Sequence, residues 1–86
     1  MPNKKTFWAK AASNLLRVEL AKRGMSYGDL KIKLANIGVV ESEANIKNKF
    51  SRGTFSTIFF LQCLRALEVK KLELDETIFT DAKAAK

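Results

Sequence analysis

The 86-residue chain has no histidine, one cysteine, one proline and no long apolar run. Each shortage excludes something. Without histidine, the commonest metal ligand and the commonest general acid–base group are both missing. No Ser–His or Cys–His nucleophile can be assembled within one chain. Cys63 alone cannot close an internal disulfide, and its place in the run Ile58-Phe59-Phe60-Leu61-Gln62-Cys63-Leu64 predicts a small buried hydrophobe. A zinc site would need several more thiols or imidazoles. Nothing approaches the roughly 18 unbroken apolar residues of a membrane helix. No apolar h-region follows Met1-Pro2-Asn3-Lys4-Lys5, so a cytoplasmic location is expected. Carboxylates and lysines are present but form no acid–base constellation. The expectation is therefore a non-enzyme with no catalytic residue, no cofactor, no metal and no membrane partner.

What is present is a basic, ordinarily apolar chain. The apolar fraction of 47% is that of a globular protein rather than a disordered one. The length fits a single domain spanning 1–86, with 1–5 and 80–86 expected as tails. The net charge of +7 lies wholly in residues 1–53, which hold 11 Lys and Arg against four Asp and Glu; residues 54–86 hold five of each. Such asymmetry suits a polyanionic partner, either nucleic acid or an anionic membrane surface, or else a charged surface that only maintains solubility.

Hydrophobic spacing predicts helices throughout, four or five in number. The first runs from about Thr6, its expected N-cap, to Arg23. Trp8, Ala12, Leu15, Leu16 and Leu20 form its apolar face; Lys10, Arg17, Glu19 and Lys22 fall mostly outside it. Gly24 ends it. The second, about Tyr27 to Asn36, opens on a capping-box arrangement of Ser26 and Asp29 and buries Leu30, Leu34 and Ile37. Gly38 stops it, and Val39-Val40 is a turn whose side chains tuck under the next helix. The third, from near Ser42 to about Ser51, has few apolar anchors (Ala44, Ile46, Phe50) and a broad face of amides and lysines, closed by Arg52-Gly53. The fourth starts at the N-cap Ser56, is apolar nearly all round, and is expected to be the most buried. A short last helix carrying Ile78 and Phe79 is expected within 75–86.

From Leu16 to Leu74 the order and spacing resemble the lambda-repressor-like (XRE-type) helix-turn-helix domain. The pieces that carry the resemblance are Gly24-Met25-Ser26-Tyr27-Gly28-Asp29-Leu30, Gly38-Val39, Ile46, Arg52-Gly53, Phe55-Ser56 and Arg65-Ala66-Leu67-Glu68-Val69. Three features depart from that pattern. The stretch from Leu34 to Ile46 is a few residues longer. Tyr27 stands where that family often has a phosphate-contacting Gln. Glu68 replaces the Gly before the last Val. A second resemblance is to short uncharacterised bacterial proteins described only as a domain of unknown function. They share a Trp near the start, the Asn45-to-Phe55 run Asn-x-x-x-Lys-x-x-Arg-Gly-Thr-Phe, and the Phe59-to-Leu64 run Phe-Phe-Leu-Gln-Cys-Leu.

The first resemblance implies an all-α helix-turn-helix bundle in which the third helix enters the major groove of double-stranded DNA. Asn45, Asn48 and Lys49 share a helical face and suit base edges, amides pairing with adenine and lysine with guanine. Ser42 opens that helix. Lys31, Lys33, Lys47 and Arg52 suit phosphates, as do the backbone N–H groups at Ser26 and Tyr27. Plainer roles stay open: Asn45 as a turn brace, Asn48 and Lys49 as a solvated face, Arg52 as a partner of Glu41 or Glu43. The expected function is a small transcriptional regulator, dimeric on paired half-sites, with Trp8 and Phe79 as dimer-contact candidates. One rival is a protein-interaction module, an antitoxin or adaptor that does not read DNA. Another is an RNA or single-strand binder, disfavoured because the aromatics are not interleaved with the basic residues.

Overall fold

The computed structural model describes residues 4–74 and 76, with side chains from residue 6 onward. Four α-helices and no strand occur among them: α1 (Lys4–Arg23), α2 (Tyr27–Asn36), α3 (Glu43–Arg52) and α4 (Thr57–Ala66). The protein is an all-α domain. The helix expected around Ile78 and Phe79, and with it the Phe79 contact, lies outside the described residues. α1 begins before Thr6, so Thr6 is an interior helical residue and not the expected N-cap.

Serine chemistry sets the start of the other three helices. Ser26 accepts from the Asp29 N–H (3.1 Å), and the Asp29 carboxylate accepts in return from the Ser26 N–H (2.9 Å), closing the capping box. Ser42 and Ser56 accept from the Asn45 and Phe59 N–H groups, each at 3.0 Å. At the other ends, paired bonds such as Met25 N to Leu20 O and Gly24 N to Ala21 O fold the chain back in the Schellman manner. α4 ends the same way, through Val69 N to Leu64 O and Glu68 N to Arg65 O, but with Glu68 at φ 57°. A left-handed conformation costs a side-chain-bearing residue roughly 1–2 kcal/mol, partly offset by the extra chain entropy that glycine brings. Glu68→Gly is therefore expected to raise stability by about 0.5–1 kcal/mol, a few degrees of melting temperature. A fall in melting temperature would contradict the strain at this position.

α2 packs against α3 and α4, and α1 against α3 and α4. The core is Leu16, Leu20, Leu30, Leu34, Ile46, Phe50, Phe59, Cys63, Ala66 and Leu67. Phe50 is its centre, with ring centroids 5.0 Å from Tyr27, 6.2 Å from Phe55 and 6.5 Å from Phe59. Cys63 is fully buried, as expected. Burial pushes its thiol up to about 12, with Lys49 opposing and Glu41 adding to the effect, so it packs as a neutral thiol.

Several expected burials do not occur. Ile58 and Leu61 of α4 are 69% and 58% exposed, so this helix is half-sided rather than buried all round. Among the described residues, no element covers its far face. Val40 is 91% exposed, and only Val39 tucks into the core. Ile37 and Ala44 are exposed as well. In the opposite direction, Glu19 is buried, where the charge pattern placed it outside. Its carboxylate is held by Arg23 at 2.7 Å, and Arg23 Nε also donates to Leu67 O at 2.9 Å, tying α1 to the end of α4.

Candidate functional site

α3 owes its two-sidedness to its thin apolar stripe. At 100° per residue, Ile46 and Phe50 point inward, and Ala44, Asn48 and Ser51 occupy the opposite side. Lys47 flanks that side on one edge, Asn45 and Arg52 on the other. Ile46 and Phe50 are fully buried, while Asn45, Lys47, Asn48, Ser51 and Arg52 are exposed. Among the described residues, the Asn45 and Asn48 amides and the Lys47 and Arg52 side chains make no hydrogen bond or ion pair. Ser42 is exposed at the head of this face; its oxygen caps the Asn45 N–H, and its own proton is left to donate.

The expected trio of Asn45, Asn48 and Lys49 is divided. Lys49 is half-buried and turns inward, its ammonium 2.9 Å from the Glu41 carboxylate and 4.5 Å from the centre of the Phe59 ring. Helical spacing put Lys49 beside Asn45, but it could not show that the connecting segment brings Glu41 within reach. Arg52 pairs with neither Glu41 nor Glu43. Glu41 goes to Lys49, and the Glu43 carboxylate lies against α2, 3.1 Å from where a Cβ on Gly28 would stand.

That carboxylate bears on the start of α2. The Ser26 N–H is already capped by Asp29, and Glu43 adds a second acidic group beside Gly28. Tyr27 is half-buried against Phe50 and belongs to the core edge. The structure spends the Ser26–Tyr27 end of α2 on the protein's own carboxylates, so the positive end of this helix is already compensated. Lys31 is exposed on the Gly28 side of α2, one turn further on. Lys33 is directed elsewhere, lining a depression with Asn36, Ile37, Arg65 and Lys70 against the end of α4.

Sequence reasoning missed two basic residues beside α3. Lys10 and Arg17 of α1 line, with Ser51 and Arg52, a depression where α1 crosses the end of α3. Arg17 directs one guanidinium nitrogen toward Phe50 O at 3.4 Å, and the Ser13 hydroxyl donates to the same carbonyl. The 33-to-37-residue separation of these partners leaves no local signal in the sequence.

The match to known families can be set on this geometry. A family model described as Domain of unknown function (DUF6471) matches residues 8–72, which is most of the chain. The chain belongs to this family. The DUF6471 span takes in α1 from Trp8 onward together with α2, α3 and α4, so it contains the whole α3 face and its α1 neighbour. No curated protein and no solved structure matches the chain. Membership of DUF6471 brings no activity with it, and any function must rest on the residues themselves.

Proposed function

We propose that this chain is a sequence-specific duplex-DNA-binding protein of the helix-turn-helix kind, a small transcriptional regulator that reads bases with α3. The observation that carries the reading is the exposed α3 face. It combines two unpartnered amides, Lys47 and Arg52, and no carboxylate beyond Glu43, which is turned to α2. Asn48 sits at the centre of that face and is the leading candidate for a paired hydrogen bond to adenine. Lys47, Lys31 and the Ser42 hydroxyl suit backbone phosphates that fix register. Lys49 supports the face indirectly, by holding Glu41 away from it.

A ten-residue helix is about 15 Å long and reaches only a few base pairs. Useful selectivity would therefore come from two copies on paired half-sites, in the cytoplasm where the DNA is. The net positive charge of residues 1–53 supplies most of the affinity, which should fall with salt.

The test is selection of bound duplexes from a random pool at two salt concentrations, with Asn48→Ala alongside the parent. One enriched motif is expected, with Asn48→Ala relaxing it at one or two positions and costing about 1–3 kcal/mol there. An unenriched pool, or a motif indifferent to Asn48, would sink this reading.

A second reading is favoured by the exposed Ile58 and Leu61 on α4, which lie in the charge-neutral part of the sequence. On that reading the domain is an interaction module such as an antitoxin or adaptor. It predicts that Leu61→Asp abolishes function while Asn48→Ala is silent.

A further inference from the structure

Basic side chains line two depressions of the described surface. One, against the end of α4, brings Lys33, Arg65 and Lys70 together but includes Glu68 in its wall. The other lies between α1 and the end of α3 and has a volume of about 380 Å³. Lys10, Arg17 and Arg52 converge on it, together with Ser51 and Thr54, and no carboxylate lines it among the described residues. Lys10 and Arg52 have no ion-pair partner among the described residues. Arg17 gives one long hydrogen bond to Phe50 O and keeps the rest of its five N–H donors.

The arrangement has the chemistry of an oxyanion receptor. Three like charges around one hollow repel one another unless an anion joins them. The C-terminal end of α3 would by itself oppose an anion. Here its Phe50 carbonyl is already covered by the Ser13 hydroxyl and Arg17, so the cations outweigh it. The hollow is also continuous with the α3 face. Ser51 and Arg52 belong to both, and Arg52 stands one helical turn beyond Asn48, about 6 Å along the axis.

We propose that Lys10, Arg17 and Arg52 form a phosphate clamp between α1 and the end of α3. On the DNA-binding reading above, on which this naming of the source rests, the group clamped is a backbone phosphodiester flanking the bases met by Asn48. The clamp takes the role that the start of α2, with Asp29 and Glu43 beside it, is poorly placed to fill.

The experiment uses the full chain, a 20-base-pair duplex of mixed sequence and, separately, inorganic phosphate. Lys10→Gln/Arg52→Gln is compared with Lys33→Gln/Lys70→Gln, which removes the same charge from the other depression. Lys10, Arg52 and Lys70 are exposed and Lys33 is half-buried, and unchanged melting temperatures verify the fold. For the clamp variant, the slope of log affinity against log salt is expected to shrink by about 0.9 for each phosphate released. Losing one such contact makes the affinity drop between 50 and 200 mM salt about 3- to 4-fold smaller. The comparison variant is expected to keep the parent's slope. Equal slopes in all three proteins overturn the clamp, even where base selection by Asn48 survives. If inorganic phosphate shifts the amide resonances around Ser51–Thr54 in the parent but not in the clamp variant, while no duplex binds, the clamp stands. Its ligand is then a free phosphate or phosphate ester, and the DNA reading fails. If neither probe shifts those resonances, the clamp is overturned.

Discussion

Replacing Gly53 by alanine is expected to lower the melting temperature by about 12–24 °C, equivalent to about 3 kcal/mol in a domain of this size. Two independent costs add. Gly53 sits at φ 68°, where a Cβ costs roughly 1–2 kcal/mol. The same Cβ would also overlap Ala9 O and stand 2.6 Å from Ala9 C and 2.8 Å from Ala9 Cβ. Those atoms belong to the body of α1 and cannot swing aside as a flexible side chain could. α1 must then lift from the end of α3, at an overpacking cost of about 1–3 kcal/mol. Gly38→Ala separates the two contributions. Gly38 has φ 84° but nothing within 4 Å of its would-be Cβ, so it should pay the conformational cost alone. Thermal unfolding followed by circular dichroism makes the comparison. Equal losses at Gly53 and Gly38 would mean that the α1–α3 approach is not a close one.

Phe50→Ala is expected to cost about 3–5 kcal/mol. Phe50 is fully buried and borders three aromatic rings, Tyr27, Phe55 and Phe59. These come from the start of α2, the segment between α3 and α4, and the first turn of α4. Truncation would leave a cavity walled by stiff rings that cannot collapse inward, which is the costly end of the range. Small domains have roughly 5–15 kcal/mol in total, so the variant loses a large share of its stability and its urea midpoint should fall clearly below the parent's. Phe50→Leu fills most of the space and should lose about half as much. Equilibrium urea unfolding of both variants checks the ordering. A loss under about 1.5 kcal/mol for the alanine variant would place the centre of the core elsewhere.

The two predictions concern features of unequal visibility in the sequence. α2 was legible from Tyr27 to Asn36, because a serine cap and a terminal glycine bracket a clear apolar stripe. Ser42 and Ser56 marked the starts of α3 and α4 for the same local reason. Phe50 could be picked as an anchor because it stands one turn from Ile46 on an otherwise polar helix. What failed was sidedness where apolar residues run together. Ile58 and Leu61 read as core because a continuous apolar run carries no information about which side lacks a neighbour. Glu19 read as solvent-facing, although Arg23 four residues on was a usable signal of a held carboxylate. At the candidate site, the exposed amides of α3 were legible and the fate of Lys49 was not. The contribution of Lys10 and Arg17 was invisible because it depends on α1 meeting a turn some 40 residues later in the chain.

The way the helix ends are closed orders assembly in time. Serine caps at the heads of α2, α3 and α4 close within three residues, as soon as each segment exists. Carbonyls at the tails of α3 and α4 are closed from α1 instead, across 33 to 44 residues: Phe50 O by Ser13 and Arg17, Leu67 O by Arg23. Contacts of such separation form late, after the intervening chain has lost its freedom. During synthesis α1 is made before α2, α3 and α4, yet its docking waits for the ends of α3 and α4. Until Phe50 has emerged α1 has no α3 to rest on, and until Leu67 has emerged its tie to the end of α4 is missing, so the apolar side of α1 stays open to misassociation until the later helices are made.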